Sequence, residues 1–183
     1  MINVGIIGAG RIGKVHCESI MRYVKNATVK AVADPFLNDE TIEWAKGLGI
    51  EEFYTDYHKI LEDNDIQAVL ICSSTDTHST ISLEAIAAGK HIFCEKPIDH
   101  DVNKILEVKA ALENSNVKYQ VGFNRRFDHN FKAARKAVEG GDVTLIQRYC
   151  ADFVLNIPEE TLLHGDVDDS SGKLHQGFRR HLP

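Results

Sequence analysis

Three glycines near the N-terminus have the spacing of a phosphate-binding turn. Residues 8–13 read Gly-Ala-Gly-Arg-Ile-Gly, a GxGxxG pattern that follows an apolar run at residues 4–7. The first glycine would permit a tight turn out of a strand, the second a close approach of a pyrophosphate, and the third close packing of the next helix. That helix is expected over Arg11–Tyr23, where free N–H groups and the positive dipole end would bind phosphate.

An acidic residue follows at the distance expected for recognition of a ribose. A second apolar run at residues 29–33 ends in Asp34, about twenty residues beyond the last glycine. A carboxylate there would accept hydrogen bonds from an adenosine ribose and repel a 2′-phosphate, which favours NAD over NADP. The alternative is a structural glycine turn with a loop aspartate. The strand and helix context favours the nucleotide site.

The composition is that of an ordinary globular protein. The 183 residues are 43% apolar and 26% charged, and this length suits one domain or one domain plus part of another. A net charge of −6 without a clustered basic stripe argues against a nucleic-acid partner. No apolar stretch approaches the length of a membrane span, so we expect no membrane partner and a cytoplasmic protein.

The four cysteines are scattered and form no CxxC pair. Three of them lie in apolar strand or helix patterns, which favours reduced, buried thiols and makes a metal site unexpected. The cysteines are Cys17, Cys72, Cys94 and Cys150.

The elements that must position these groups alternate along the chain. Four further strands are predicted, at residues 53–54, 68–72, 91–94 and 118–122. Four further helices are predicted, at residues 41–48, 57–61 (with Asp56 as cap), 77–88 and 101–114. This order predicts an α/β fold, a Rossmann-type doubly wound parallel sheet with helices on both faces.

In such a sheet, ligands bind beyond the carboxyl ends of the strands. The polar segments that follow the predicted strands should therefore border one crevice. These segments are residues 8–13, Asp34, residues 73–78, residues 95–97 and residues 123–126. Loops are polar in any protein because they are solvated. A lysine beside a proline in Glu95-Lys96-Pro97 is less well explained by solubility alone.

Four segments in fixed order resemble the Gfo/Idh/MocA oxidoreductase family, and within it the inositol 2-dehydrogenase branch. They are residues 8–16, 72–78, 93–97 and 120–128. The resemblance extends over about residues 1–147. It implies an NAD-binding Rossmann domain at residues 1–122 and, at residues 123–147, the start of an α+β C-terminal domain. In full-length members that second domain shapes the substrate site and mediates homo-oligomerisation.

The resemblance also implies roles around bound NAD. Contacts to the pyrophosphate are implied for Gly8, Gly10, Arg11 and Ile12, and a contact to the adenosine ribose for Asp34. The nicotinamide half would be lined by Ser73, Ser74, Thr75 and His78. The nicotinamide ribose would be met by Glu95, and the cleft would be bordered by Asn124 and Arg125.

Lys96 matches the active-site lysine of the family. A cation at that position can hydrogen-bond the reacting hydroxyl and stabilise the developing alkoxide as hydride leaves. A surface lysine after a strand is the alternative, and the shared crevice favours the catalytic interpretation. The resemblance therefore implies NAD-dependent oxidation of a polyol ring hydroxyl, with an inositol as the favoured substrate.

The C-terminal segment at residues 148–183 departs from the family pattern. The catalytic aspartate and histidine that the family carries after a Ser-Gly-Gly segment are not found. Residues 174–183 can be encoded so that a one-nucleotide shift yields such a segment, which suggests a truncated chain with an out-of-frame tail. Residues 164–169 contain a histidine and three aspartates, and a solvated tail is favoured there over a metal site.

Two functions therefore compete. One is the dehydrogenase reaction of the family. The other is an NAD-binding fragment that lacks the catalytic aspartate and histidine and so does not turn over. A non-catalytic sensor with the same fold is a third possibility without positive support.

Overall fold

The computed structural model describes residues 1–139, and strands and helices alternate along them. The strands are β1 (Ile2–Ile7), β2 (Ala27–Ala33), β3 (Glu52–Tyr54), β4 (Ala68–Ile71), β5 (His91–Cys94) and β6 (Tyr119–Val121). The helices are α1 (Arg11–Tyr23), α2 (Asp39–Lys46), α3 (His58–Glu62), α4 (Thr75–Ala87), α5 (Val102–Glu113) and α6 (His129–Glu139). A short 3₁₀ helix covers Asn124–Arg126.

The described strands form one parallel sheet in the order β3-β2-β1-β4-β5-β6. The strand order reverses between β1 and β4, which is where this class of sheet binds its ligand. Ile7 at the end of β1 lies opposite Ala33 and Ile71, and Ile71 lies opposite Cys94. The carboxyl ends of the four central strands are therefore level.

Buried side chains cover both faces of the sheet. One face packs against α3, α4 and α5 through residues such as Ile60, Ile81 and Val108. The other face packs against α1 and α2 through Cys17 and Ala45. The prediction of a doubly wound Rossmann-type sheet is confirmed.

Four predicted helix starts were wrong by one or two residues. Helix α5 begins at Val102 rather than residue 101, because Asp101 is its N-cap. Helix α2 begins at Asp39 rather than residue 41, because the Asn38 side chain caps it by accepting from the Thr41 amide at 2.9 Å. Helix α4 begins at Thr75 rather than residue 77. Helix α3 has Tyr57 as its N-cap; the Asp56 carboxylate accepts from the His58 amide at 3.0 Å.

The chain divides into two compact units, one spanning Met1–Asn124 and one that starts at Arg125. In the described part of the second unit, the Arg125 guanidinium lies 4.9 Å from the centre of the Phe131 ring. The predicted boundaries at residues 122 and 147 stay predictions. The tail at residues 148–183, with Cys150 and the acidic segment at residues 164–169, lies outside the described residues.

No helix within residues 1–139 combines the length and apolar character needed to cross a membrane.

Candidate functional site

The glycine turn between β1 and α1 is fixed by its own packing. Gly8 has a φ of +101°, and a Cβ there would lie 2.5 Å from the Ser73 amide nitrogen. A Cβ on Gly13 would lie 2.0 Å from the Gly8 carbonyl oxygen. Neither position tolerates a side chain without movement of the backbone. These two glycines therefore let the turn pass close to the end of β4.

Gly10 differs from its two neighbours. It has an ordinary extended conformation, and a Cβ built on it meets no atom within 4 Å. The packing of the described residues therefore places no demand for glycine at this position. Gly10 is also the N-cap of α1, where no side chain caps the first-turn amides. Open space in front of uncapped amides suits a pyrophosphate.

Asp34 stands beside this turn at the end of β2. One of its carboxylate oxygens accepts from the Ala9 amide at 2.7 Å, and the other accepts from the Phe36 amide at 2.8 Å. Each carboxylate oxygen can accept a further hydrogen bond. The side chain is therefore held in place by the backbone and can still bind two ribose hydroxyls.

A cavity of about 540 Å³ lies in front of these groups, within the size range of small-molecule sites. It is bordered by several of the predicted residues, namely Gly8, Gly10, Asp34, Ser73 and Ser74. Its border also includes Asp76 and Thr77, which belong to the predicted polar segment at residues 73–78. The sequence analysis missed other residues of the border, among them Phe36, Thr55 and Tyr57. The position of Phe36, two residues after Asp34, is the signal that could have indicated it.

The remaining predicted phosphate contacts lie in the first turn of α1. Arg11 is exposed and Ile12 is half-buried. At the start of α4, Thr75 is half-buried, and the Ser73 hydroxyl lies 2.7 Å from the Thr77 hydroxyl. Their contacts to a nucleotide stay predictions.

Glu95 and Lys96 follow β5 at the same edge of the sheet. An oxygen of the Glu95 carboxylate lies 2.7 Å from Nε2 of His16, and the His16 ring packs edge-on against Phe93. The Lys96 side chain is exposed. His16 was missed by the sequence analysis, although its position three residues after Gly13 places it on the helix face that turns toward the sheet.

His78 does not line the cavity. It is 2% exposed. Its Nδ1 lies 2.8 Å from the Pro97 carbonyl oxygen and its Nε2 lies 3.0 Å from the Ser73 carbonyl oxygen. Burial lowers the pKa of His78, but the neighbouring Cys94 sulfur and the carbonyl oxygens of Pro97 and Ser73 outweigh it and raise the pKa to about 9. The residue connects the two segments that follow β4 and β5.

A second connection joins α4 to the segment after Pro97. The Ser79 hydroxyl donates to the Asp99 carboxylate, whose other oxygen accepts from the Asp101 amide at 2.9 Å. These hydrogen bonds, together with Lys104 at 3.8 Å, lower the pKa of Asp99. The loop after Lys96 is therefore anchored at two points on α4.

Three of the cysteines pack beneath the site. Cys17, Cys72 and Cys94 are buried and form no disulfide. Burial raises the pKa of both Cys17 and Cys72 to about 12, so these thiols stay neutral at physiological pH. The prediction of buried, unpaired thiols is confirmed for these three residues.

Asn124 and Arg125 fall on either side of the division between the two units. Asn124 is the exposed last residue of the first unit, and Arg125 begins the second. That Asn124 and Arg125 border the cleft remains a prediction.

Comparison with known proteins identifies the family. The model of an oxidoreductase family with an NAD-binding Rossmann fold, GFO_IDH_MocA, matches residues 2–123. The chain belongs to the Gfo/Idh/MocA family. The match covers the glycine turn, the β4 and β5 ends and Lys96, so the crevice is part of the NAD-binding domain of the family.

Curated and solved relatives agree with this assignment. The chain is 39% identical over 142 residues to the myo-inositol 2-dehydrogenase of Thermotoga maritima and 41% identical over 143 residues to an inositol 2-dehydrogenase of Rhizobium meliloti. Each match covers 78% of this chain and 42% of the relative. The chain therefore spans less than half the length of these relatives.

The fold also matches a solved structure with bound ligands. The scyllo-inositol dehydrogenase of Lactobacillus casei, with NAD(H) and scyllo-inositol bound, superposes with a TM-score of 0.72 at 35% identity. That match covers 78% of this chain and 42% of the other.

Proposed function

We propose that this chain binds NAD in the crevice at the carboxyl ends of β1, β2, β4 and β5, and serves an inositol dehydrogenase reaction. The observation that carries the proposal is Gly10. It is a glycine that the packing around it does not require, and it faces open space at the uncapped start of α1. Close approach of a ligand to the protein backbone would explain a glycine at this position. A pyrophosphate fits both the open space and the free amides.

Asp34 would bind the adenosine ribose, with its two oxygens oriented by the Ala9 and Phe36 amides. Glu95 would bind the second ribose and is itself oriented by His16. NAD, when bound, supplies a hydride acceptor. The Lys96 ammonium would donate a hydrogen bond to the substrate hydroxyl oxygen and stabilise the negative charge that develops there as hydride leaves.

A second candidate function is NAD binding without turnover. The reaction also needs a proton acceptor, and histidine is the usual one near neutral pH. His78 has a backbone carbonyl at each ring nitrogen, and Nε2 of His16 is bound to Glu95. Neither of these two rings is placed to take the substrate proton. By this interpretation the chain binds NAD but does not complete the reaction.

One pair of assays separates the candidates. The purified chain would be titrated with NADH by fluorescence and assayed for NAD reduction with myo-inositol and scyllo-inositol. Turnover that falls by a factor of about 10² to 10⁴ in Lys96→Met supports the dehydrogenase. NADH binding without turnover supports the second function.

Gly10→Ala tests in both assays whether the open space at Gly10 is the nucleotide site. Its methyl group meets no protein atom, so the chain should fold normally while NADH affinity falls at least tenfold. Failure of the unmodified chain to bind NADH would reject both functions.

A further inference from the structure

His78 is held in a way that fixes its protonation state. The imidazole is buried in the first turn of α4, with the Pro97 carbonyl at 2.8 Å from Nδ1 and the Ser73 carbonyl at 3.0 Å from Nε2. A carbonyl oxygen can only accept a hydrogen bond. A neutral imidazole has one N–H and therefore satisfies one of these carbonyls, whereas an imidazolium satisfies both.

We propose that His78 is a positioning residue, a buried imidazolium whose two N–H groups tie the end of β4 to the end of β5 and thereby place Lys96. The tie joins the first residue of the polar segment after β4 to the residue that follows Lys96. It thus sets the distance between the cofactor-binding loop and the exposed lysine. The role of Lys96 in this proposal rests on the proposed function.

The surroundings of His78 are compatible with a cation. The Cys94 thiol faces it from β5, and the Asp76 carboxylate lies in the same first turn of α4. Hydrogen bonds from Ser74 and from its own backbone amide lower the pKa of Asp76, and the charge of His78 adds to this. His100, in the loop after β5, acts on Asp76 in the same direction. Asp99, also in that loop, is bound to Ser79, the next residue of α4. The Asp76 carboxylate offsets the helix dipole, which disfavours a cation at this position.

The buried position of His78 does not suit the role of a general base. A base needs one free nitrogen directed at the substrate, and both nitrogens here are bound to the backbone. The raised pKa of His78, to about 9, agrees with a ring that stays charged at neutral pH. Its contribution to stability is fully present below the ordinary pKa of 6.5 and is lost as pH rises through about 9.

The test is nuclear magnetic resonance of the whole chain labelled with ¹⁵N-histidine, between pH 6 and pH 10. Both ring nitrogens of His78, assigned by their loss in His78→Gln, should show the protonated resonance at pH 7 and keep it until pH approaches 9. A single protonated nitrogen at pH 7 would overturn the proposal. This measurement needs neither nucleotide nor turnover, so its result is distinct from failure of the proposed function.

A second readout is the NADH affinity of variants that lack one of the two hydrogen bonds of His78. Glutamine and asparagine carry both N–H bonds on a single nitrogen and place an oxygen acceptor on the other side, so His78→Gln and His78→Asn keep at most one of the two connections. We expect NADH affinity to fall about fivefold at pH 7 in both variants. In the unmodified chain we expect this affinity to decline between pH 8 and pH 10, and in the variants this decline should be absent. An identical pH profile in the variants would contradict the positioning role. If the variants do not fold, the resonance of the unmodified chain decides.

Discussion

The two halves of the crevice are built from different groups. At the ends of β1 and β2, the proposed binding groups are backbone amides of a glycine turn and one carboxylate that two amides hold in place. At the ends of β4 and β5, they are the side chains of Glu95 and Lys96, which depend on His16 and His78 for support. The first half is fixed by main-chain geometry, and the second by side-chain hydrogen bonds.

The difference predicts how each half responds to change. Substitutions at Gly8 and Gly13 should disturb the backbone itself, with large effects on folding and on every nucleotide. Substitutions around Glu95 and Lys96 should leave the fold intact and affect only ligands that reach the nicotinamide side. ADP and NADH provide the comparison, because ADP carries only the adenosine half.

The largest effect is expected for Gly13→Ala. The new methyl group would lie 2.0 Å from the Gly8 carbonyl oxygen, so the turn must move. We expect the free energy of unfolding to fall by about 3 kcal/mol and binding of both ADP and NADH to be lost. Urea unfolding followed by the fluorescence of Trp44 measures the first change. Gly10→Ala should stay within about 0.5 kcal/mol of the unmodified chain, and equal losses in the two variants would refute the distinction.

Asp34→Asn should change nucleotide preference. The variant removes the negative charge beside the ribose but keeps one acceptor oxygen, so repulsion of a 2′-phosphate is lost. The ratio of NADPH affinity to NADH affinity should rise about tenfold or more. Asp39→Asn, which removes an exposed charge at the start of α2, is the control and should leave the ratio unchanged. A ratio that stays constant in both variants would show that Asp34 does not face the ribose.

The buried thiols beneath the glycine turn predict a loss of stability at high pH. Unfolded thiols ionise above about 9, whereas the pKa values of Cys17 and Cys72 in the folded chain are about 12. The folded state then holds more protons, so the free energy of unfolding falls as pH rises above 9. Each thiol should cost about 1.4 kcal/mol at pH 10.

Urea unfolding at pH 8 and pH 10 measures this slope, and Cys72→Ala should reduce it. Replacing Cys94, which lies under the half of the crevice that contains Glu95 and Lys96, provides a comparison. If the free energy of unfolding falls equally with pH in Cys72→Ala, the effect cannot be assigned to the Cys72 thiol.

The smallest effect is expected for His16→Asn. It removes the ring that contacts Glu95 at 2.7 Å but leaves the turn and Asp34 unchanged. We expect NADH affinity to fall about threefold, which corresponds to roughly 0.7 kcal/mol, while ADP affinity stays the same. His91→Asn, at the opposite end of β5, is the control. A parallel loss of ADP affinity would show that the two halves are not independent.

The same division explains what could be predicted from the sequence. Backbone features leave a pattern in the sequence, so the spacing of Gly8, Gly10 and Gly13 predicted the turn, and apolar runs predicted all six strands. Helix starts were less well predicted, since the Asn38 cap adds two residues to α2 that apolar periodicity does not mark.

Side-chain partners were not predictable in this way. His16 and Glu95 are separated by 79 residues, and only the fold brings them together. His78 was assigned to the cofactor from a motif that indicates importance but does not indicate direction. The structure places the ring inward, between two carbonyl groups.

The order of strands in the sheet has a consequence for synthesis on the ribosome. β1 is made first and lies in the interior of the sheet; β2 and β3 then extend one side, and β4, β5 and β6 the other. Each new strand thus emerges next to one that already exists, and none has to wait for a partner still to be translated. Because domains form from the N-terminus onward during translation, the six described strands can all be paired once residue 121 has left the exit tunnel.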